Sequence, residues 1–573
     1  MPQSIWLLQS EKHANEQAVD KQVRKQTGGI PCMKFRIAGA IVLFIIVSLV
    51  LAIFLGDPAM MMKAFQSSGS GSPPVAPTSV PADANPIVKE NAQPGSNEWR
   101  IPAGKEATTQ IQAYAGAVSV DPGQSLQFYV STQKAGTPYS IQIFRLGWYS
   151  GFGGRLLKLV QNQEGEAQGY YEERTRKLVA CSTCYQGTDG LIEARWKPSY
   201  TLEVPQDWTS GVYLAKFTDA SGWQTYAPFV VHGNPNSRYV VVTPDTTMAA
   251  SNEWGGKSLY DMGSGFFSEN SFAPTAAKVS FDRPYLYYAG ASQVVSLELN
   301  AIRWMERQGY DLSYISNVDL HRQPQQLQRH KATISIGHDA YWTLEMRQGY
   351  EAARDKGVGL AFLGAADGVW QMRFEASSTG TPDRTVICYK VSSEENTLSR
   401  DPMYATDHTR VTAQWRDPVL HQPESTLIGV MYSDMSRGQV DFAWKVNKDA
   451  DQTLLKNTGI QPGKGYGCSY VGYLWDRVYR DSSPANLKVL ATSNVHNENN
   501  KEDVSNTTYY ISQSGAMVFA TGSTYWTYAL DNYRPTYLPD RNWECGDTES
   551  PEMQALLANV FHELVERHSP NAL

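Results

Sequence analysis

A chain of 573 residues is too long for one hydrophobic core, so two globular parts plus tails are expected. Apolar residues make up 42% and charged residues 19%, an ordinary globular balance. Lys and Arg number 50 against 57 Asp and Glu, a net charge of -7, which removes any reason to expect a nucleic-acid partner. Aromatic residues reach 11%, a content that suits sugar- or amide-binding clefts but is first explained by core packing.

In chain order, residues 1–36 read as a cytoplasmic tail. Ile37 to Leu55 (IAGAIVLFIIVSLVLAIFL) holds no charge and no proline. A run of that length is expected to cross a bilayer as one helix. Lys12, Lys21, Arg24, Lys25, Lys34 and Arg36 precede it, and Lys63 is the one near cation after it. The positive-inside rule then predicts a single-pass membrane protein, N-terminus cytoplasmic and the later domains extracytoplasmic. A cleaved signal peptide is the rival, disfavoured by the length of the run and the lack of an A-x-A site. Met33 is an alternative start to Met1. Residues 56–96 are rich in Ser, Pro, Gly and Ala and are expected to form a flexible linker.

Residues 97–232 carry short alternating strands at Ser125 to Val130, Ser140 to Leu146, Gly211 to Phe217 and Thr225 to Val231, which predict a β-sandwich. Cys181 and Cys184 form a lone C-x-x-C, most simply a disulfide in an oxidising exterior. Zinc would need a second pair, whereas Cys388, Cys468 and Cys545 stand singly, and a redox role would need a thioredoxin-like setting.

From residue 238 to 568 the rhythm changes. Strands at Tyr239 to Val242, Asp311 to Ser316, Ala332 to Gly337 and Val358 to Leu363 alternate with helices at Ser296 to Gln308 and Thr343 to Asp355. This predicts an α/β domain with a mostly parallel sheet. A hairpin is expected at Tyr509 to Ile511 and Ala516 to Ala520, then a final helix started by Ser550 and Pro551.

Ligands of open α/β sheets sit past the carboxyl ends of the strands. His338-Asp339-Ala340-Tyr341-Trp342 occupies such a place, read either as a site or as a pair of helix-capping groups. Asp245 to Asp261, with Ser251, Trp254 and Tyr260, and Gly364 to Trp370, with Ala366 and Asp367, follow two other strands. Position 566 is Glu, so no H-E-x-x-H pair forms with His562. No G-x-S-x-G elbow follows a strand. Gly467-Cys468-Ser469 reads as a loop and the sequon Asn506-Thr507-Thr508 as a turn.

IFRLGWYSGFGGR (143–155), DWTSGVYLAKF (207–217), NEWGGKSLY (252–260), VSFDRPY (279–285), VDLHRQP (318–324), SIGHDAYWTLEMR (335–347) and GAMVFATGSTYWTYALD (515–531) resemble the N,N-dimethylformamidase large (beta) subunit family. The resemblance spans roughly residues 97–568 and implies a β-sandwich followed by a glutamine-amidotransferase-like α/β domain. It implies hydrolysis of a small tertiary amide by iron held on two tyrosines and a glutamate, aided by a histidine and an asparagine. Carried over by position, the histidine is His338 and one tyrosine is Tyr260. The glutamate position is Ala340, the other tyrosine Ser251 and the asparagine Ala366. Asp339 neighbours the lost glutamate but points to the other side of an extended segment. Three functions follow: a relative with a degenerate or altered metal site, a metal-dependent amidohydrolase using His338 and Asp339, or a protein that binds a small polar molecule or carbohydrate. In the last, Trp254, Tyr260, Tyr341, Trp342 and Trp370 would line the pocket.

Overall fold

The computed structural model describes residues 80–260, 276–436, 442–535 and 549–567. Strand formation begins with period-2 burial: Leu126, Phe128 and Val130 are buried, whereas Ser125 and Gln127 are exposed and Tyr129 is half-buried. Eight strands build the sandwich. They are β1 (Ile111–Ala115), β2 (Ser119–Val120), β3 (Ser125–Thr132), β4 (Pro138–Leu146), β5 (Gly154–Glu164), β6 (Tyr200–Glu203), β7 (Gly211–Asp219) and β8 (Gln224–Val231). One sheet has the order β1-β3-β6 and the other β2-β8-β7-β4-β5.

The five-stranded sheet is apolar on both faces. Ile141 and Ile143 of β4, with Tyr213, Ala215 and Phe217 of β7, pack into the sandwich core. Phe144, Leu146, Val212 and Leu214 point the other way, into the larger core under the second sheet. That is why β7 is buried along almost its whole length. Ser79–Leu573 accordingly forms one compact unit.

The second sheet contains β9 (Tyr239–Thr243), β10 (Leu312–Ser316), β11 (Ala332–Gly337), β12 (Gly359–Gly364), β13 (Lys488–His496), β14 (Glu502–Ile511) and β15 (Met517–Ala520). Their order is β10-β9-β11-β12-β15-β14-β13. The first five are parallel, and β14 and β13 extend the sheet antiparallel. Strands β9, β11 and β12 are buried at every residue, as parallel strands covered on both faces must be.

The helices are α1 (Pro86–Asn91), α2 (Asp245–Ser251), α3 (Leu299–Arg307), α4 (Asn317–Arg322), α5 (Leu344–Asp355) and α6 (Pro551–Glu566), with two further four-residue turns of helix. The Ser550 hydroxyl accepts the Met553 N–H and Pro551 follows it, which starts α6. Helix α1 falls in the stretch expected to be linker; the Asn85 side chain caps it and Ile87 is buried.

Several expectations are corrected. The expected architecture of a membrane helix, a β-sandwich and an α/β domain overstates the helices, because the described chain is mostly strands with small helices. Between β12 and β13 the chain makes small two- and three-stranded sheets and 3-10 turns instead of crossover helices. Among the described residues no helix is long and apolar enough to cross a membrane. The longest of them, α6, has 16 residues, spans about 24 Å against a hydrocarbon core of about 30 Å, and carries Glu552, Glu563 and Glu566. The expected span, residues 37–55, lies outside the described residues, so the single-pass anchor, the membrane as partner and the cytoplasmic and extracytoplasmic assignments are without support. Asn506 lies within β14 rather than a turn, and Cys468 lies in the strand Gly465–Val471 rather than a loop.

Candidate functional site

The carboxyl ends of β9, β11 and β12 meet through the segments that follow them. Gly337 and Gly364 face each other across β11 and β12. Beyond them Tyr341-Trp342 pairs in parallel with Trp370-Gln371. The Ala340 N–H donates to Thr247 Oγ1 at 2.9 Å, and the Trp370 N–H donates to the Ala340 carbonyl at 2.9 Å. Thr246 Oγ1 donates to the Tyr341 carbonyl at 2.8 Å. The backbone of this segment is therefore pinned to helix α2 on one side and to the β12 loop on the other.

His338 is buried, and its Nδ1 lies 3.4 Å from the Tyr473 hydroxyl. Burial first, and the Lys390 charge second, hold it down at about 3, so the imidazole is neutral. Asp339 is fully buried; its Oδ1 accepts from Asn317 Nδ2 at 3.0 Å and its Oδ2 from Ser335 Oγ at 3.2 Å. Burial lifts this carboxyl to about 7 against those hydrogen bonds. Its side chain faces the sheet core.

Tyr260 meets Tyr341 edge to face, with ring centroids 6.1 Å apart. Burial pushes the Tyr260 phenol up to about 12 and the Tyr341 phenol well above its usual range. Lys390 completes the group. Its Nζ lies 3.8 Å from the Tyr260 ring centroid, 5.0 Å from that of Trp370 and 5.5 Å from that of Tyr341. Burial lowers the ammonium to about 7, with the Cys388 thiol opposing.

His338, Tyr260, Tyr341 and Trp370 thus gather at one place. Trp342 lies beneath it, stacked on Tyr350 at 4.8 Å and packed under Gly368. Trp254 belongs to a different cluster with Tyr114, Tyr171 and Trp196, and its Nε1 donates to Gln112 Oε1 at 2.9 Å. The Ser251 hydroxyl donates to the Thr247 and Met248 carbonyls of its own helix at 3.0 and 3.3 Å. Ala366 adopts a left-handed backbone, φ 58, and its N–H donates to Asp476 Oδ1 at 2.8 Å. Cys181 and Cys184 are joined by a disulfide, remote in the fold from these strand ends. Cys468 is also disulfide-bonded, and Cys388 is a buried free thiol.

Sequence pattern does not reveal Lys390, Tyr473 or Asp476. Nothing in the residues around Lys390 separates it from a solvent-exposed lysine, and Tyr473 and Asp476 sit just before and within the strand Leu474–Arg477, which is too short to show a period.

No curated protein matches the chain. Two superoxide reductases (neelaredoxins) from Ignicoccus hospitalis share 16% and 14% identity, cover 22% and 21% of this chain and 82% and 77% of their own, and give TM-scores of 0.13 and 0.12. A cycloisomaltooligosaccharide glucanotransferase from Paenibacillus sp., complexed with cycloisomaltoheptaose, shares 12% identity over 51% of this chain and 36% of its own, with a TM-score of 0.14. None of these overlaps informs the fold or the site. Residues 140–539, well over half of the chain, match the family described as N,N-dimethylformamidase beta subunit-like, C-terminal. The motifs around Tyr260 and His338 and this match lead to one conclusion: the chain belongs to the N,N-dimethylformamidase beta subunit-like family.

Proposed function

We propose that this family member carries an altered metal and amide-hydrolysis site and works by binding a small polar ligand at the ends of β9, β11 and β12. The observation that carries this reading is Ala340. It occupies the position where the family resemblance implies a glutamate ligand, and its methyl group has no lone pair to offer. Its neighbours do not stand in for it. The Asp339 carboxyl is taken by Asn317 and Ser335, and the Ser251 hydroxyl by its own helix. Among the described residues, no three His, Cys, Asp or Glu side chains gather as a metal-holding group. The Lys390 ammonium beside Tyr260 would also repel a second cation. The residues present therefore do not fit the implied iron.

A second reading, amide hydrolysis without that metal, is favoured by His338. A neutral imidazole with Nδ1 3.4 Å from the Tyr473 hydroxyl can hold and orient a water by a hydrogen bond, although its lowered basicity makes it a weak proton acceptor.

Elemental analysis of the purified full chain tests the first reading. Less than stoichiometric metal is expected, both as isolated and after reconstitution with ferrous iron. Stoichiometric metal that disappears in Tyr260→Phe would overturn it. Release of formate from N,N-dimethylformamide or formamide, abolished by His338→Ala, would establish the second reading in its place.

A further inference from the structure

Lys390 is half-buried, with its Nζ set against three aromatic rings. It follows the short strand Thr385–Ile387 and takes a left-handed backbone, φ 51, rare for a residue with a side chain. The segment is held on both sides of it. The Cys388 N–H donates to the Ala277 carbonyl at 2.9 Å, the Tyr389 N–H to Thr412 Oγ1 at 2.9 Å and the Val391 N–H to the Thr412 carbonyl at 3.2 Å. A strained residue over-determined in this way has a fixed backbone, which sets where its side chain starts. From there the side chain carries Nζ among the rings of Tyr260, Trp370 and Tyr341.

Ring faces recover only part of the hydration an ammonium loses when it is half-buried as Lys390 is. Among the described residues, no carboxylate forms an ion pair with it. Asp339, beside His338 at the end of β11, is turned toward Asn317 and Ser335. His338 adds no charge of its own, and the Tyr260, Tyr341 and Tyr473 phenols remain neutral. Below about pH 7, where Lys390 is charged, the place therefore offers one positive charge, neutral hydroxyls and flat apolar walls. A dianion would keep one charge unpaired there, and a neutral ligand would leave the ammonium uncompensated. A small monoanion with two acceptor oxygens and a short apolar tail matches on all counts.

We propose that this site binds a small monocarboxylate, its oxygens on the Lys390 ammonium and its carbon end against Tyr260 and Trp370. The proposal names the ligand class of the site at the ends of β9, β11 and β12 and rests on the reading that no metal occupies it.

The test titrates sodium acetate and sodium formate into the full chain by calorimetry, with metal content measured on the same sample. Saturable binding is expected, weakened about tenfold or more in Lys390→Met, which keeps the length of the stem and removes the charge. Circular dichroism checks that the variant folds. Independently of any variant, the Nζ resonance of lysine in isotope-labelled wild-type protein should shift on addition of acetate. No binding of either anion to folded, metal-free protein would overturn the proposal, as would equal binding by Lys390→Met or an unmoved Nζ resonance. Stoichiometric metal would instead sink the altered-site reading on which it rests, whatever acetate does.

Discussion

Arg145 and Glu306, 161 residues apart, form a bidentate ion pair with both side chains fully buried. The contacts are 2.7 Å for Nη2 to Oε1 and 2.9 Å for Nη1 to Oε2. Arg145 lies on β4 of the sandwich and Glu306 on α3 beside the second sheet. The Tyr314 hydroxyl and Asn91 Nδ2 also donate to Glu306, at 3.0 and 2.8 Å. Arg145→Met removes the cation and strands a buried carboxylate, so it should cost about 3–5 kcal/mol. Urea denaturation of both proteins measures it. A double change of Arg145→Met with Glu306→Leu should recover part of the loss, because the stranded charge disappears with it.

The His232 imidazole bridges Asp121 and Asp319, at 2.8 Å on each ring nitrogen. Burial works against its charge, but the hydrogen bonds and charges of Asp319 and Asp121 win and raise it to about 9. An unfolded histidine titrates near 6.5. The stabilisation is therefore complete below about pH 6.5, falls as pH rises and is lost above about pH 9. Its size is on the order of 3 kcal/mol, since a tenfold change in proton affinity is worth roughly 1.4 kcal/mol. Melting temperatures of wild type and His232→Gln between pH 6 and pH 10 should differ most at the acid end and converge at the alkaline end. A constant difference would remove the charge from the explanation.

At the end of β12, a Cβ on Gly364 would lie 2.0 Å from the Gly337 carbonyl oxygen on β11. The conflict is one of space, since Gly364 has no positive φ. Gly364→Ala must push the two strand ends apart just before His338. A loss of about 1–3 kcal/mol is expected from such overpacking. Thermal melting reads the loss, and the His338 ring resonances report whether the displacement reaches the site.

The two tryptophans named from the sequence should behave differently. Trp342 is 1% exposed and stacked on Tyr350, so Trp342→Ala should cost about 3–5 kcal/mol. Trp370 is half-buried, with Nζ of Lys390 5.0 Å from its ring. Trp370→Ala should cost less stability and instead weaken anion binding. Chemical denaturation and acetate titration of both variants separate the two roles.

Local pattern carries much of the architecture. Strands β3, β9 and β11 are legible because alternation, or an unbroken apolar run, is a property of neighbouring residues. Ser550-Pro551 starts α6 by a contact spanning three residues. The family is legible in ordered motifs from Ile143 to Asp531, and the match over residues 140–539 agrees. The apolar run 37–55 is equally local, but hydropathy alone does not supply a spanning helix, and the described residues contain none. The strand-rich excursion between β12 and β13 has no comparable period, so local pattern does not disclose it.

By itself, then, the sequence determined the family, four strands of the sandwich, six of the seven strands of the second sheet and the substitution of Ala340 at the glutamate position. Only the tertiary structure decided the composition of the site. It separated Trp254 into another cluster, turned Asp339 toward Asn317 and brought Lys390 over Tyr260 from 130 residues away. The reason is physical: periodicity and capping act over a few residues, whereas an ammonium beside a ring depends on where two distant segments are pinned, and neither segment encodes the other.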